Sequence, residues 1–75
     1  MPTIAQIGNL RIQIFADDHN PPHFHVVTPE YQALVSIADL AIIRGELRGR
    51  DFNTAVEWAK AHIEELNHEW KRLNG

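Results

Sequence analysis

Seventy-five residues with a formal net charge of −3 and no cysteine make a single domain, 1–75, with no donors for a disulfide or thiolate framework. No apolar run approaches the ~18 residues of a membrane span, and the amino terminus lacks the basic-then-apolar layout of a signal peptide, so the expected location is cytoplasmic, with no membrane partner. The acidic balance disfavours nucleic-acid binding by the isolated chain, because tracking phosphates needs a positive surplus on one face.

Pro2 to Ile7 is a short apolar lead, and Gly8-Asn9 is a dipeptide suited to positive φ and so to a turn or bulge. Leu10, Ile12 and Ile14 then alternate with Arg11 and Gln13, which predicts a half-buried strand over 10–16. Asp17 to Pro22 is a loop of turn formers. The tandem prolines supply no N–H and push Asn20 into an extended conformation, so the next strand opens at His23 and runs over 23–28 with Phe24 and Val26 toward the core. Thr28-Pro29-Glu30-Tyr31 fits a tight turn with proline second. A third strand over 31–37 follows, with Tyr31, Ala33, Val35 and Ile37 on one face. Ala38-Asp39 signals a brief turn, and a short fourth strand over 40–44 is stopped by Gly45.

From Asp51 the period turns helical, with Phe52, Val56, Ala59, Ile63, Leu66, Trp70 and Leu73 recurring at helical steps. One helix over 51–73 is predicted. Asp51, or the Thr54/Glu57 capping box, starts it; Lys71 and Arg72 suit its negative pole, and Gly75 stands where it would stop. The expected fold class is α+β, a small antiparallel meander of about four strands packed against one long carboxy-terminal helix.

The candidate site is the stretch from Asp17 to Val26, which gathers three of the five histidines, two carboxylates and two of the four prolines. Residues two apart in a strand sit about 7 Å apart on one face, which puts His23 and His25 together, opposite Phe24 and Val26. His19 stands four residues upstream on the loop. That loop stays ordered only if side chains of Asp17, Asp18 or Asn20 satisfy nearby backbone N–H groups.

Three functions are open to this pattern. His19, His23 and His25 can bring three imidazoles to one divalent cation such as zinc, with Asp17 or Asp18 as a further ligand or an outer partner. The plainer account has one histidine bonding a loop carbonyl and the others half-exposed. His23, His25 and His62 are also candidates for metal-free acid–base catalysis, for instance RNA phosphodiester cleavage. That chemistry needs cations, and Arg11, Arg44, Arg48 and Arg50 are the candidates; Glu46 and Asp51 make a solvated loop the simpler account of the last three. The third function, which ranks first because it needs no chemistry, is a protein-partner binding module. Its binding face is Asp17, Asp18, His19, Asn20, His23, His25, His62 and Glu65, aided by an exposed strand edge. A homo-oligomer is compatible with the same edges. His62 shares a helix flank with Trp58, Glu65 and Glu69, where it either completes the histidine cluster or packs at the core rim. His68 falls on the solvated side, and the two tryptophans are core or core-rim residues.

Met1-Pro2-Thr3-Ile4 and the run from Asp18-His19 through Pro21 to His23-Phe24-His25-Val26 resemble a bacterial family catalogued as domain of unknown function 4160. The resemblance continues through Arg44-Gly45-Glu46-Leu47, Glu57-Trp58-Ala59, His62, Glu65-Leu66 and Trp70. It implies a small β-rich domain with a carboxy-terminal helix. Members are often encoded beside another small domain, which implies a protein partner from a neighbouring gene and a two-gene, toxin–antitoxin-like pair. The hairpin tip differs, since Pro29-Glu30 stands where relatives tend to carry glycine. No cofactor is implied beyond the divalent metal that the histidine pattern admits.

Overall fold

The alternation that predicts a meander is realised with one strand more than expected. In the computed structural model, which describes residues 3–74, the strands are β1 (Thr3–Ile7), β2 (Leu10–Gln13), β3 (His23–Val27), β4 (Gln32–Ser36) and β5 (Ile42–Gly45). They form one antiparallel sheet in chain order, followed by α1 (Gly49–Ala61) and α2 (Ile63–Asn74). The fold is α+β, with five strands and two helices where about four strands and one long helix were expected. Met1, Pro2 and the expected helix stop at Gly75 lie outside the described residues.

The apolar lead becomes β1 because Gly8-Asn9 closes a two-residue hairpin, with Ile7 opposite Leu10 and Gly8 at φ 59°. Its register shifts between Thr3 and Ala5, so Ile4 and Ala5 are both half-buried and no clean alternation marks the strand. β2 ends at Gln13 rather than near 16. Beyond it the chain turns away, Asp17 takes φ 58°, and Asn74 at the end of α2 engages the loop: its Nδ2 donates to the Phe15 carbonyl at 2.9 Å, and its Oδ1 accepts the Asp18 N–H at 2.7 Å.

The β3–β4 turn lies at 28–31, as its sequence predicts. Thr28 N–H donates to the Tyr31 carbonyl at 2.8 Å, and Tyr31 N–H donates to Thr28 Oγ1 at 2.9 Å. The fourth expected strand starts two residues late. Leu40 sits at φ 58° and donates its N–H to the Ser36 carbonyl, which makes it part of the turn. β5 in turn extends through Gly45.

The expected single helix breaks at His62. There the backbone leaves helical geometry, at φ −129° and ψ 26°, and the His62 N–H bonds the Ala59 carbonyl. The Trp58 carbonyl, its regular partner, accepts His62 Nδ1–H at 2.7 Å instead. α2 restarts with Glu64 and Glu65 at its positive pole and ends with Lys71 and Arg72 at its negative one. The start of α1 also differs from expectation. Arg48 is the N-cap without a side-chain bond, Asp51 falls inside the first turn, and Thr54 Oγ1 donates back to the Arg50 carbonyl.

Cross-strand register aligns Ile12, Val26 and Ala33 in one row and Phe24 with Val35 in the next. Ala55, Ala59, Leu66 and Trp70 of the helices join Ile12, Val26, Phe24 and Val35 in one core cluster that also holds Leu10, Ile14 and Ile37. Ala55 takes the place in α1 expected for Phe52 and Val56, which are only half-buried. The break at His62 removes the need for one stripe to run in phase along both helices. Phe24 and Val26 are fully buried, as expected.

Candidate functional site

The site is built where the loop after β2 returns to the start of β3. Asn74 fixes the loop from one side, and the cis Asn20–Pro21 peptide leads the chain into His23. Asp18 is its hub. Its Oδ1 accepts the His19 backbone N–H at 3.0 Å, which meets the expected need for a side chain that satisfies the loop backbone. Its Oδ2 lies 3.0 Å from His23 Nε2 and 3.2 Å from His25 Nε2.

His23 and His25 therefore share one side of β3, as the two-residue period requires, but they differ in burial. His23 is 1 % exposed, its Nδ1 is 2.8 Å from the Pro21 carbonyl, and its ring centroid is 5.1 Å from that of Trp70 and 5.3 Å from that of His25. His25 is half-buried and packs T-shaped against the Phe15 ring, with the centroids 4.6 Å apart. The plainer account, a histidine bonding a loop carbonyl, describes one nitrogen of His23.

The other sequence candidates fall outside this trio. His19 is mostly exposed, its Nδ1 is 3.2 Å from Asp18 Oδ1, and its ring is 5.7 Å from His23. The three ligand-type atoms that converge belong to Asp18, His23 and His25, so a carboxylate stands where the third imidazole was expected. Asp17 and Asn20 are exposed on the loop. His62 stacks on Trp58 at 4.1 Å, at the core rim, which is the second of the two roles open to it; Glu65 is exposed. Sequence reasoning missed Asn74, and it foresaw a loop carbonyl as a histidine partner without assigning it to Pro21; both roles depend on a loop path that local pattern does not encode.

Burial pushes the Asp18 carboxyl up, but hydrogen bonds from His25 and the His19 amide, with the charge and hydrogen bond of His23, outweigh it and hold the group below its usual range. A depressed folded value means that the unfolded chain binds its proton first as pH falls. The contribution is present above the unfolded value of about 3.9 and is lost as pH drops through the folded value. Urea unfolding of Asp18→Asn across the acid range should therefore give a shallower loss of stability below about pH 3.9 than wild type.

The arginines do not gather at this carboxylate. Arg48 pairs with Glu30 at 2.8 Å and lies over the Tyr31 ring, at the far end of β3 from His23. Arg44 shares a cross-strand row with Leu34 and His25, one strand beyond β4. No helix of the described residues is long and apolar enough to cross a membrane.

A second feature is the β5 edge. All four of its residues are exposed, among the described residues β5 pairs only with β4, and Ile42 and Ile43 are 39 % and 45 % exposed. In comparison with known proteins, the family described as Domain of unknown function (DUF4160) matches residues 9–71. No curated protein and no solved structure matches.

Proposed function

The chain belongs to the DUF4160 family, whose description assigns no activity, and we propose that it is a protein-recognition module that docks an extended segment of a partner along β5. The observation that carries this reading is the end strand itself, with two exposed isoleucines and one unpaired side. An edge strand presents a row of free N–H and C=O groups, and natural sheets ordinarily blunt it with charge, proline, a bulge or a cover. Here the strand carries one charge, Arg44, and one register shift, at Ile43, and its four residues stay exposed. An added strand takes main-chain hydrogen bonds from β5, while the exposed side chains of Ile42 and Ile43 supply apolar anchors. The partner that fits the family's paired-gene layout is the small protein encoded alongside, as in a toxin–antitoxin-like pair. With His23 buried, the histidine face contributes only His19 and His25 to any contact.

The test is calorimetric titration with the neighbouring gene's product. Ile43→Lys should weaken binding by ~30-fold or more, the effect of losing a central anchor, while shifting unfolding stability by about 0.5 kcal/mol or less, since the residue is exposed. Unchanged affinity in Ile42→Lys and Ile43→Lys would remove β5 from the interface. A dimer of the isolated chain that dissolves on the same substitution would assign the edge to a second copy instead.

A further inference from the structure

We propose that Asp18, His23 and His25 form a divalent transition-metal site, with Asp18 Oδ2 and the Nε2 atoms of both histidines as its protein ligands. The chemistry begins at Pro21. Its carbonyl oxygen can only accept, so His23 Nδ1, 2.8 Å away, carries a proton. In a neutral ring Nε2 is then a lone pair, and it faces a carboxylate oxygen at 3.0 Å. Two acceptors at that distance repel unless a cation stands between them, and the cation is either a second proton or a metal ion.

The convergence of three groups points to the metal: His25 brings a second Nε2 to the same oxygen at 3.2 Å, all three atoms lie within 4.8 Å of one another, and one ion serves both contacts where a proton would have to be supplied to each ring separately. Donors bound to one tetrahedral zinc at ~2.0–2.1 Å stand ~3.3 Å apart. The contacts with Asp18 already match that spacing.

The surroundings are those of oriented ligands. His23 is held from behind by Pro21, which fixes its tautomer, and the other Asp18 oxygen is held by the His19 N–H at 3.0 Å. Asp18 and His25 side chains are 16 % and 21 % exposed, which leaves a path for an ion beside the buried His23. Two imidazoles and one carboxylate suit zinc, cobalt or ferrous iron better than calcium or magnesium, which take all-oxygen sets. Three protein ligands leave a position for water or for an outside donor. The site lies on β3, two strands from the β5 edge, so it stands or falls separately from the docking reading.

Titration of EDTA-treated, dialysed protein with zinc chloride should show one saturable site per chain and raise the melting temperature by ~10 °C or more at ~100-fold excess over the dissociation constant. Cobalt(II) should give the intense visible bands of a low-symmetry, low-coordinate ion. His25→Gln should weaken zinc binding by more than the ~10–100-fold that loss of an outer partner costs. His19→Gln should stay within ~10-fold, the lower end of that outer-partner range. Because variants at buried His23 risk misfolding, His25→Gln and the wild-type titration carry the test. Absence of saturable zinc and cobalt binding in the wild type, or wild-type affinity in His25→Gln, would overturn the assignment.

Discussion

Replacing His23 with leucine should lower the stability of the metal-free domain by about 3 kcal/mol, measured by urea unfolding in EDTA. Leucine preserves apolar volume beside Trp70 but removes both hydrogen-bonding nitrogens from a ring that is 1 % exposed. The Pro21 carbonyl and Asp18 Oδ2 each lose a partner. A buried group left unsatisfied costs about 1–3 kcal/mol, more when it is charged, and the partial exposure of Asp18 keeps its share toward the lower end. His25→Gln should cost under about 1 kcal/mol, because that residue borders solvent and an amide can still reach toward the carboxylate. If the two substitutions cost the same, His23 is not the cross-link between the loop and the sheet. A loss near 3 kcal/mol is severe for a chain of this length, whose whole stability is expected at the low end of about 5–15 kcal/mol.

The unequal histidines show where sequence reading reaches its limit. A two-residue period places His23 and His25 on one face, and the structure keeps them there, but period alone predicts equal exposure. The difference is made by Asn74, which bonds Phe15 across 59 positions of sequence, and by Trp70, which meets the His23 ring. Neither contact has a local signal. Strands β2 to β4 were legible because Leu10, Ile12, Phe24, Val26, Ala33 and Val35 alternate cleanly with half-buried or polar neighbours, apart from His23. β1 was not, because the shifted register between Thr3 and Ala5 breaks its alternation. The helical stripe was legible, but its interruption was not. His62 is a tolerable helix residue, and the bond of its ring to the Trp58 carbonyl, which accompanies the stop, has no local signal. The same limit separates the expected three-histidine set from the trio that forms. Spacing could nominate His19 and Asp18 alike, and only the loop's path turns Asp18 inward.

Gly45→Ala should cost about 3 kcal/mol, against about 1–2 kcal/mol for Gly8→Ala, and the contrast isolates a backbone contact that orders the proposed docking edge. Both glycines take positive φ, 83° and 59°, so both substitutions bear the penalty of an L-residue in the left-handed region. They differ in space. A Cβ on Gly8 meets nothing within 4 Å, whereas one on Gly45 collides with the Gln32 carbonyl oxygen and comes within 2.9 Å of the Ala33 Cα. These are backbone atoms of β4, so no rotamer change relieves the clash. Relief requires β5 to move away from β4, breaking the pairing of Gly45 with Ala33. Folded Gly45→Ala protein should thus lose partner affinity, because the row of donors and acceptors along β5 no longer lies where an added strand expects it. Zinc affinity should be retained, since Asp18, His23 and His25 are held by β3, the preceding loop and α2. Urea unfolding of both glycine variants, followed by partner and zinc titrations of Gly45→Ala, measures all three quantities. Equal destabilisation at the two glycines would mean that dihedral preference alone sets the cost and that β5 has room to stay in place.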